Sequence, residues 1–179
     1  KVERLSPKCF KGLEVVFFSA GNDISREWGP KAVADGAFAI DNSAAFRMNA
    51  DTLLIVPEVN GHLLPKAKAP ALIANPNCTT IQLVVALAPL KKAFELEEVQ
   101  VASYQAVSGA GKEGVEELRA QAKEVLIGQT SPSDLQNKVF SHPIAFNVIP
   151  QIGSFNKEGY SEEEVKVMEE SKKILEQSD

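Results

Sequence analysis

Cys78 lies in the stretch Ala74-Asn75-Pro76-Asn77-Cys78-Thr79-Thr80, where an apolar run ends, a tight turn follows and a hydrophobic helical run begins. A cysteine at a helix start is well placed to act as a nucleophile. Unpaired backbone N–H groups and the positive end of the helix dipole favour thiolate over thiol. The same N–H groups, with the side-chain amide of Asn77, could hold an oxyanion formed when the sulfur adds to a carbonyl. The alternative is a small buried residue, the usual fate of a free cysteine. On the cysteine alone both readings stand.

Other residues have chemistry to offer. Arg47 carries a planar, permanently charged guanidinium suited to phosphate, or is an ordinary surface arginine. Glu170 and Lys173 are three apart, so they share a helix face and could serve one site. They could equally be a solvated pair. Gly21 and the run Ser108-Gly109-Ala110-Gly111 are glycine turns of the kind that lets backbone approach a ligand, or they only turn the chain. Gln105 reads as an outward strand residue, and His62 and His142 as loop or surface residues. No Cys/His cluster has zinc spacing, so no metal site is expected.

The elements that must position these residues alternate between strand and helix. Leu13 to Ala20 reads as a strand buried on both faces. Ser25 is expected to cap a helix through Val33 that Gly36 closes. Ala37 to Ile40, Leu53 to Val56 and Leu72 to Ala74 read as further short strands. After Cys78, Thr79 to Phe94 reads as a helix apolar almost all round and hence buried, bent or ended at Pro89. Val99 to Val107 is predicted as a long strand and Lys112 to Ile127 as an amphipathic helix. A loop over residues 128–143 and a short strand at Ala145 to Ile149 follow. Ser161 with Glu164 forms a capping-box pattern opening a last helix to about Leu175. The expected class is α/β: part of a doubly wound, Rossmann-like sheet over residues 1–77, then an α+β domain over residues 78–179.

Bulk properties exclude several partners. The 179 residues are 44% hydrophobic and 24% charged, with a net charge of -5. That leaves no basic footprint for nucleic acid. No apolar run reaches the roughly 18 residues needed to span a bilayer. The longest, Ile81 to Leu90, is broken by Gln82 and Pro89. With two cysteines and no basic-then-apolar leader, a reducing, cytoplasmic setting is expected.

The stretch from Ala74 to Thr80, with Gln82 downstream, resembles the active-site segment of aspartate-semialdehyde dehydrogenases. Five further blocks resemble that family in the same order. They are Ser19-Ala20-Gly21; Asp41-Asn42-Ser43 with Phe46-Arg47-Met48; Val56-Pro57-Glu58-Val59-Asn60; Tyr104 to Gly111; and Glu170-Ser171-Lys172-Lys173. Asn22 stands where the family usually has glycine, and Ala44 where a second serine is common.

The resemblance implies reversible oxidation of aspartate semialdehyde to aspartyl phosphate with NADP and inorganic phosphate. Cys78 would form a thiohemiacetal and then a thioester, and Gln105 would orient substrate beside it. It implies phosphate contacts at Arg47 and Lys173, an ammonium contact at Glu170 and a substrate contact at Asn77. NADP contacts would fall to Ser19, Ala20, Gly21, Ser43, Ser108, Gly109 and Gly111. The second domain would make a homodimer. The chain, which opens on Lys1, is further expected to be an internal piece. It would lack the family's N-terminal glycine fingerprint and the C-terminal segment bearing its arginine and histidine, and so would be inactive alone. The rival enzyme is an N-acetyl-glutamyl-phosphate reductase, whose turn typically has glycine where Asn77 stands. A non-catalytic dimerisation module is the rival from another class.

Overall fold

Four short parallel strands carry the first part of the molecule, seen in a computed structural model that describes residues 3–64, 69–128 and 130–176. Strand β1 (Val15–Phe18) leads into helix α1 (Asn22–Ala34) and strand β2 (Phe38–Asp41). Strand β3 (Leu53–Leu54), the one-turn helix α2 (Pro57–Asn60) and strand β4 (Leu72–Ala74) follow. The sheet order is β1-β2-β4-β3, so β4 enters between its two predecessors. Parallel neighbours are what short apolar runs separated by a helix predict, as α1 separates β1 from β2.

Helix α1 starts at Asn22, three residues before the expected cap. Gly21 fills the cap position at φ +96°, a conformation that disfavours any side chain. Ser25 lies inside the helix, fully buried. The stop matches expectation: Gly36 adopts φ +98° and its N–H donates to the Val33 carbonyl, a left-handed closure typical of glycine.

Strand β1 is not buried on both faces. Phe18 is buried against Phe10, Ala32 and Ala39, with Trp28 alongside, yet Phe17 is 75% exposed. One face of the strand is covered by α1 and the segment before β1; the other is open. Helix α3 (Cys78–Ala93) likewise buries only Thr80 and Val84, although it is apolar nearly all round. It runs on through Pro89 to Ala93. Val84 packs with Leu54, Val56, Ala74 and Ile174. Ile174 belongs to helix α5 (Glu162–Leu175), which starts directly after Ser161 as expected. Lys91 of α3 donates to the Leu175 carbonyl and satisfies one of the acceptors at the end of α5.

Packing divides the chain into two units, Lys1–Glu98 with Glu164–Asp179, and Val99–Glu163. The dividing line therefore differs from one drawn at Cys78, because α3 and most of α5 pack with the sheet. In the second unit, helix α4 (Gly111–Leu126) follows a 3-10 turn at Val107–Ala110. Neither strand expected there forms: residues 99–106 and 145–149 carry no ladder. A strand exists only through a partner's N–H and C=O groups, and no described residue supplies one. The loop after α4 is held by helix side chains instead. Glu117 accepts the N–H groups of Lys138 and Val139 at 2.8 and 2.7 Å. Buried Gln121 accepts those of Ile144 and Ala145 at 2.8 and 3.0 Å and donates to the Gln136 carbonyl at 2.9 Å.

Candidate active site

The strand register brings Phe18, Asp41, Ala74 and Leu54 into one row at the carboxyl edge of the sheet. The segments Ser19-Ala20-Gly21, Asn42-Ser43 and Asn75-Pro76-Asn77-Cys78 therefore leave it side by side. Ligands of open α/β sheets gather at such an edge. Asn75 Nδ2 donates to Asn42 Oδ1 at 2.7 Å, tying the β4 and β2 exits together. The two residues that depart from the family pattern touch each other: the Ala44 N–H donates to Asn22 Oδ1 at 3.0 Å. Asp41, fully buried, accepts from Ser25 Oγ at 2.6 Å, from Ser43 Oγ at 2.8 Å and from the Ser43 N–H at 3.0 Å. Sequence reasoning named Ser25 as a helix cap and Asp41 within a family-like block, but gave neither a role at the site. An aspartate ending an apolar strand was the available signal, since a carboxylate is seldom buried without partners.

Cys78 is exposed and is the first residue of α3. The residue before it explains the turn. Asn77 Oδ1 accepts the N–H groups of Thr79 at 2.8 Å and Thr80 at 3.2 Å, an N-cap that satisfies two orphan donors. These two N–H groups of the helix start are held by the asparagine side chain. The backbone N–H of Asn77 in turn donates to Glu170 Oε2 at 2.6 Å.

Glu170 is almost fully buried, and its Oε1 pairs with Arg47 Nη1 at 3.0 Å. Arg47 also donates from Nε to the Asn75 carbonyl at 2.9 Å and from Nη2 to the Asn42 carbonyl at 3.1 Å. The guanidinium thus spans the β2 and β4 exits, with its charge balanced by Glu170. Lys173 Nζ donates to the carbonyls of Arg47, Asn49 and Thr52 at 2.7, 2.8 and 3.0 Å. Desolvation lowers its pKa from the ordinary lysine value, while three carbonyl dipoles favour the ammonium form. The structure therefore brings Arg47, Asn77, Cys78, Glu170 and Lys173 together within the first unit.

Ser19, Ala20 and Gly21 form the turn between β1 and the N-terminus of α1. A Cβ placed on Gly21 would meet nothing within 4 Å. An open glycine turn feeding a helix N-terminus suits the phosphates of a dinucleotide. In the second unit, the Gln105 side chain lies against Gly109, where an added Cβ would come within 2.1 Å of Nε2. A side chain at Gly109 would therefore make Gln105 move, and Gly111 takes φ +78° at the start of α4, a conformation that favours glycine.

Residues 87–179 match the family described as semialdehyde dehydrogenase, dimerisation domain. Residues 1–67 match semialdehyde dehydrogenase, NAD binding domain. The chain belongs to the semialdehyde dehydrogenase family. Aspartate-semialdehyde dehydrogenase of Aquifex aeolicus is 46% identical over 93% of this chain and 48% of its own length. That of Bacillus subtilis is 45% identical over 99% and 52%. Aspartate semialdehyde dehydrogenase II of Vibrio cholerae, solved complexed with ASA, superposes with a TM-score of 0.85 at 42% identity, over 91% of this chain and 47% of that one. The chain spans about half the length of the curated relatives it matches. The α/β reading holds: a Rossmann-like dinucleotide-binding domain precedes an α+β dimerisation domain. One expectation is corrected. The chain was expected to lack the N-terminal part of the cofactor domain; its first 67 residues match the semialdehyde dehydrogenase NAD-binding domain. No helix among the described residues is long and apolar enough to cross a membrane.

Proposed function

We propose that the protein interconverts aspartate semialdehyde plus phosphate and aspartyl phosphate, with Cys78 as nucleophile and NADP as cofactor. The observation that carries the reading is Cys78, exposed at the capped start of α3, beside a turn whose backbone is tied to the Arg47–Glu170 pair. The names of the relatives supply the substrate.

The Cys78 sulfur adds to the aldehyde carbon, and the new oxyanion takes up a proton to give a thiohemiacetal. NADP, when bound, would supply the hydride acceptor for oxidation of this adduct to the thioester, with the hydroxyl proton leaving to solvent. A phosphate oxygen then attacks the thioester carbon and releases the thiolate, leaving aspartyl phosphate. Arg47 is the proposed phosphate contact. A guanidinium has five N–H donors; three of them are used on Asn42, Asn75 and Glu170, which leaves two. Ser19, Ala20, Gly21 and Ser43 would hold the cofactor at the sheet edge. The family resemblance adds Ser108, Gly109 and Gly111 to that role, and an orienting role for Gln105. The match to a dimerisation domain supports a homodimer.

The test is phosphate-dependent NADPH formation from aspartate semialdehyde by the full-length protein. Cys78→Ser should lower kcat on the order of 10³-fold or more, as loss of a nucleophile does. Turnover with N-acetyl-glutamate semialdehyde instead would select the rival reductase. Activity unaffected by Cys78→Ser would remove the proposal.

A further inference from the structure

We propose that Asp41 is a positioning residue for the dinucleotide, its carboxylate fixing the turn at Ser43 against the first turn of α1 so that the two sides of the cofactor edge keep one spacing. The inference rests on the cofactor part of the reading above and deepens it. Asp41 is fully buried and acts through the groups it holds.

Three donors converge on this one carboxylate. Oδ1 accepts from Ser25 Oγ at 2.6 Å and from the Ser43 N–H at 3.0 Å, and Oδ2 accepts from Ser43 Oγ at 2.8 Å. An ionised carboxylate only accepts, at about four sites on its two oxygens, so it can serve a serine on each side at once. An amide in its place would turn an N–H group toward a donor. Ser25 is buried in the first turn of α1, and its own N–H donates to the Gly21 carbonyl at 3.2 Å. One residue thus joins the glycine turn to Asp41. On the other side, Ser43 Oγ has spent its proton on Asp41 and accepts the Ala45 N–H at 3.2 Å. Its direction is set from both ends. The Asp41 carbonyl also accepts the Asn75 N–H at 2.7 Å, which brings in the β4 exit that leads to Cys78.

The position of the carboxylate decides what it holds. The proposed cofactor contacts Ser19, Ala20 and Gly21 follow β1, whereas Ser43 follows β2, and the ladder between these strands ends at the row of Phe18 and Asp41. Beyond that row, side chains keep the two segments together. Two of the ties are exposed, the Ala44 N–H to Asn22 Oδ1 at 3.0 Å and Asn42 Nδ2 to Ser19 Oγ at 3.5 Å. Water competes for exposed bonds of this kind. The Ser25–Asp41 bond is buried, so Asp41 holds the spacing before a ligand arrives and spares part of the ordering cost of binding.

Calorimetric titration of the full-length protein with NADP tests this without turnover. Asp41→Asn, which keeps the shape and one accepting oxygen, should raise the Kd about tenfold, the size of a lost bond to a charged group. Ser25→Ala should raise it about threefold, and it carries the test by itself if Asp41→Asn folds poorly. In the double variant Ser25→Ala should add little to Asp41→Asn, because the serine acts through the carboxylate. Kinetics give the second readout. The KM for NADP should rise with the Kd while kcat stays within about twofold, a split that lost stability does not produce. A lower Tm with an unchanged Kd would overturn the inference and leave Asp41 a packing role. Full additivity of the two changes would do the same.

The outcomes keep the inference and the reaction apart. If Asp41→Asn weakens NADP binding in a protein that does not turn over aspartate semialdehyde, only the reaction falls. If the wild type turns over and neither variant alters the Kd, only the inference falls. A wild type that does not bind NADP would remove both.

Discussion

Asn77 is bonded through both its backbone and its side chain. Its side-chain oxygen holds the first turn of α3 and its backbone N–H is held by Glu170. Asn77→Ala should cost about 1–2 kcal/mol by urea denaturation, the usual loss on removing an N-cap. Asn77→Asp, which keeps the accepting oxygen, should cost less than half as much. Equal losses from both would mean that the cap contributes little. Arg47 makes a harsher test. Arg47→Ala should raise the phosphate KM, with Arg47→Lys recovering it only partly because lysine lacks the fork. The same change strands the buried Glu170 carboxylate, so Arg47→Ala should also lose about 3 kcal/mol of stability. A variant as stable as wild type would show that the Arg47–Glu170 pair contributes no net stability. The place of Cys78 at the start of a helix was legible in the sequence, because it follows from the local turn; a task for Arg47 came only from the family resemblance. The burial of Glu170 was not legible. Its partners lie 123 and 93 residues away, and a charged helix face looks alike whether it meets water or an arginine.

Among the elements, those whose pairing is internal were read correctly in kind. Strands β1, β2, β3 and β4 supply one another's hydrogen bonds; the apolar runs of β1, β2 and β4 give way to Ser19, Asp41 and Asn75, and that of β3 stops at Pro57. Of the two strands expected in the second unit, Val99 to Val107 alternates in part, yet neither has a ladder, and period-2 patterning cannot show whether a partner exists. The extent of burial on α3 was overestimated for a related reason. Hydrophobicity says what a face could bury, and Leu90 remains 48% exposed. What does organise the second unit is polar. Gln121 bonds three backbone groups of the following loop from a position 3% exposed. Gln121→Met, similar in shape, should therefore destabilise by about 2–4 kcal/mol, since it leaves several buried groups unsatisfied. Limited proteolysis should then cut within residues 136–147 first. Resistance equal to wild type would show that Glu117 alone secures the loop.

Taken whole, the molecule has a sheet edge that gathers candidate cofactor and nucleophile segments, and a family match over both of its parts. The proposed homodimer should appear as twice the chain mass in sedimentation equilibrium on the full-length protein; a monomer at micromolar concentration would exclude it. The long reach between Arg47 and Glu170 has a consequence for how the protein is made. Ribosomes add roughly 5–20 residues per second, so 123 residues take roughly 6–25 s to follow Arg47 out. Through that interval the nascent chain carries an arginine without its counter-ion and a Cys78 turn without its tether. The strands can pair meanwhile. The nucleophile is set in place last, when α5 arrives, so a chain stalled before Glu170 would present a sheet but not a finished active site.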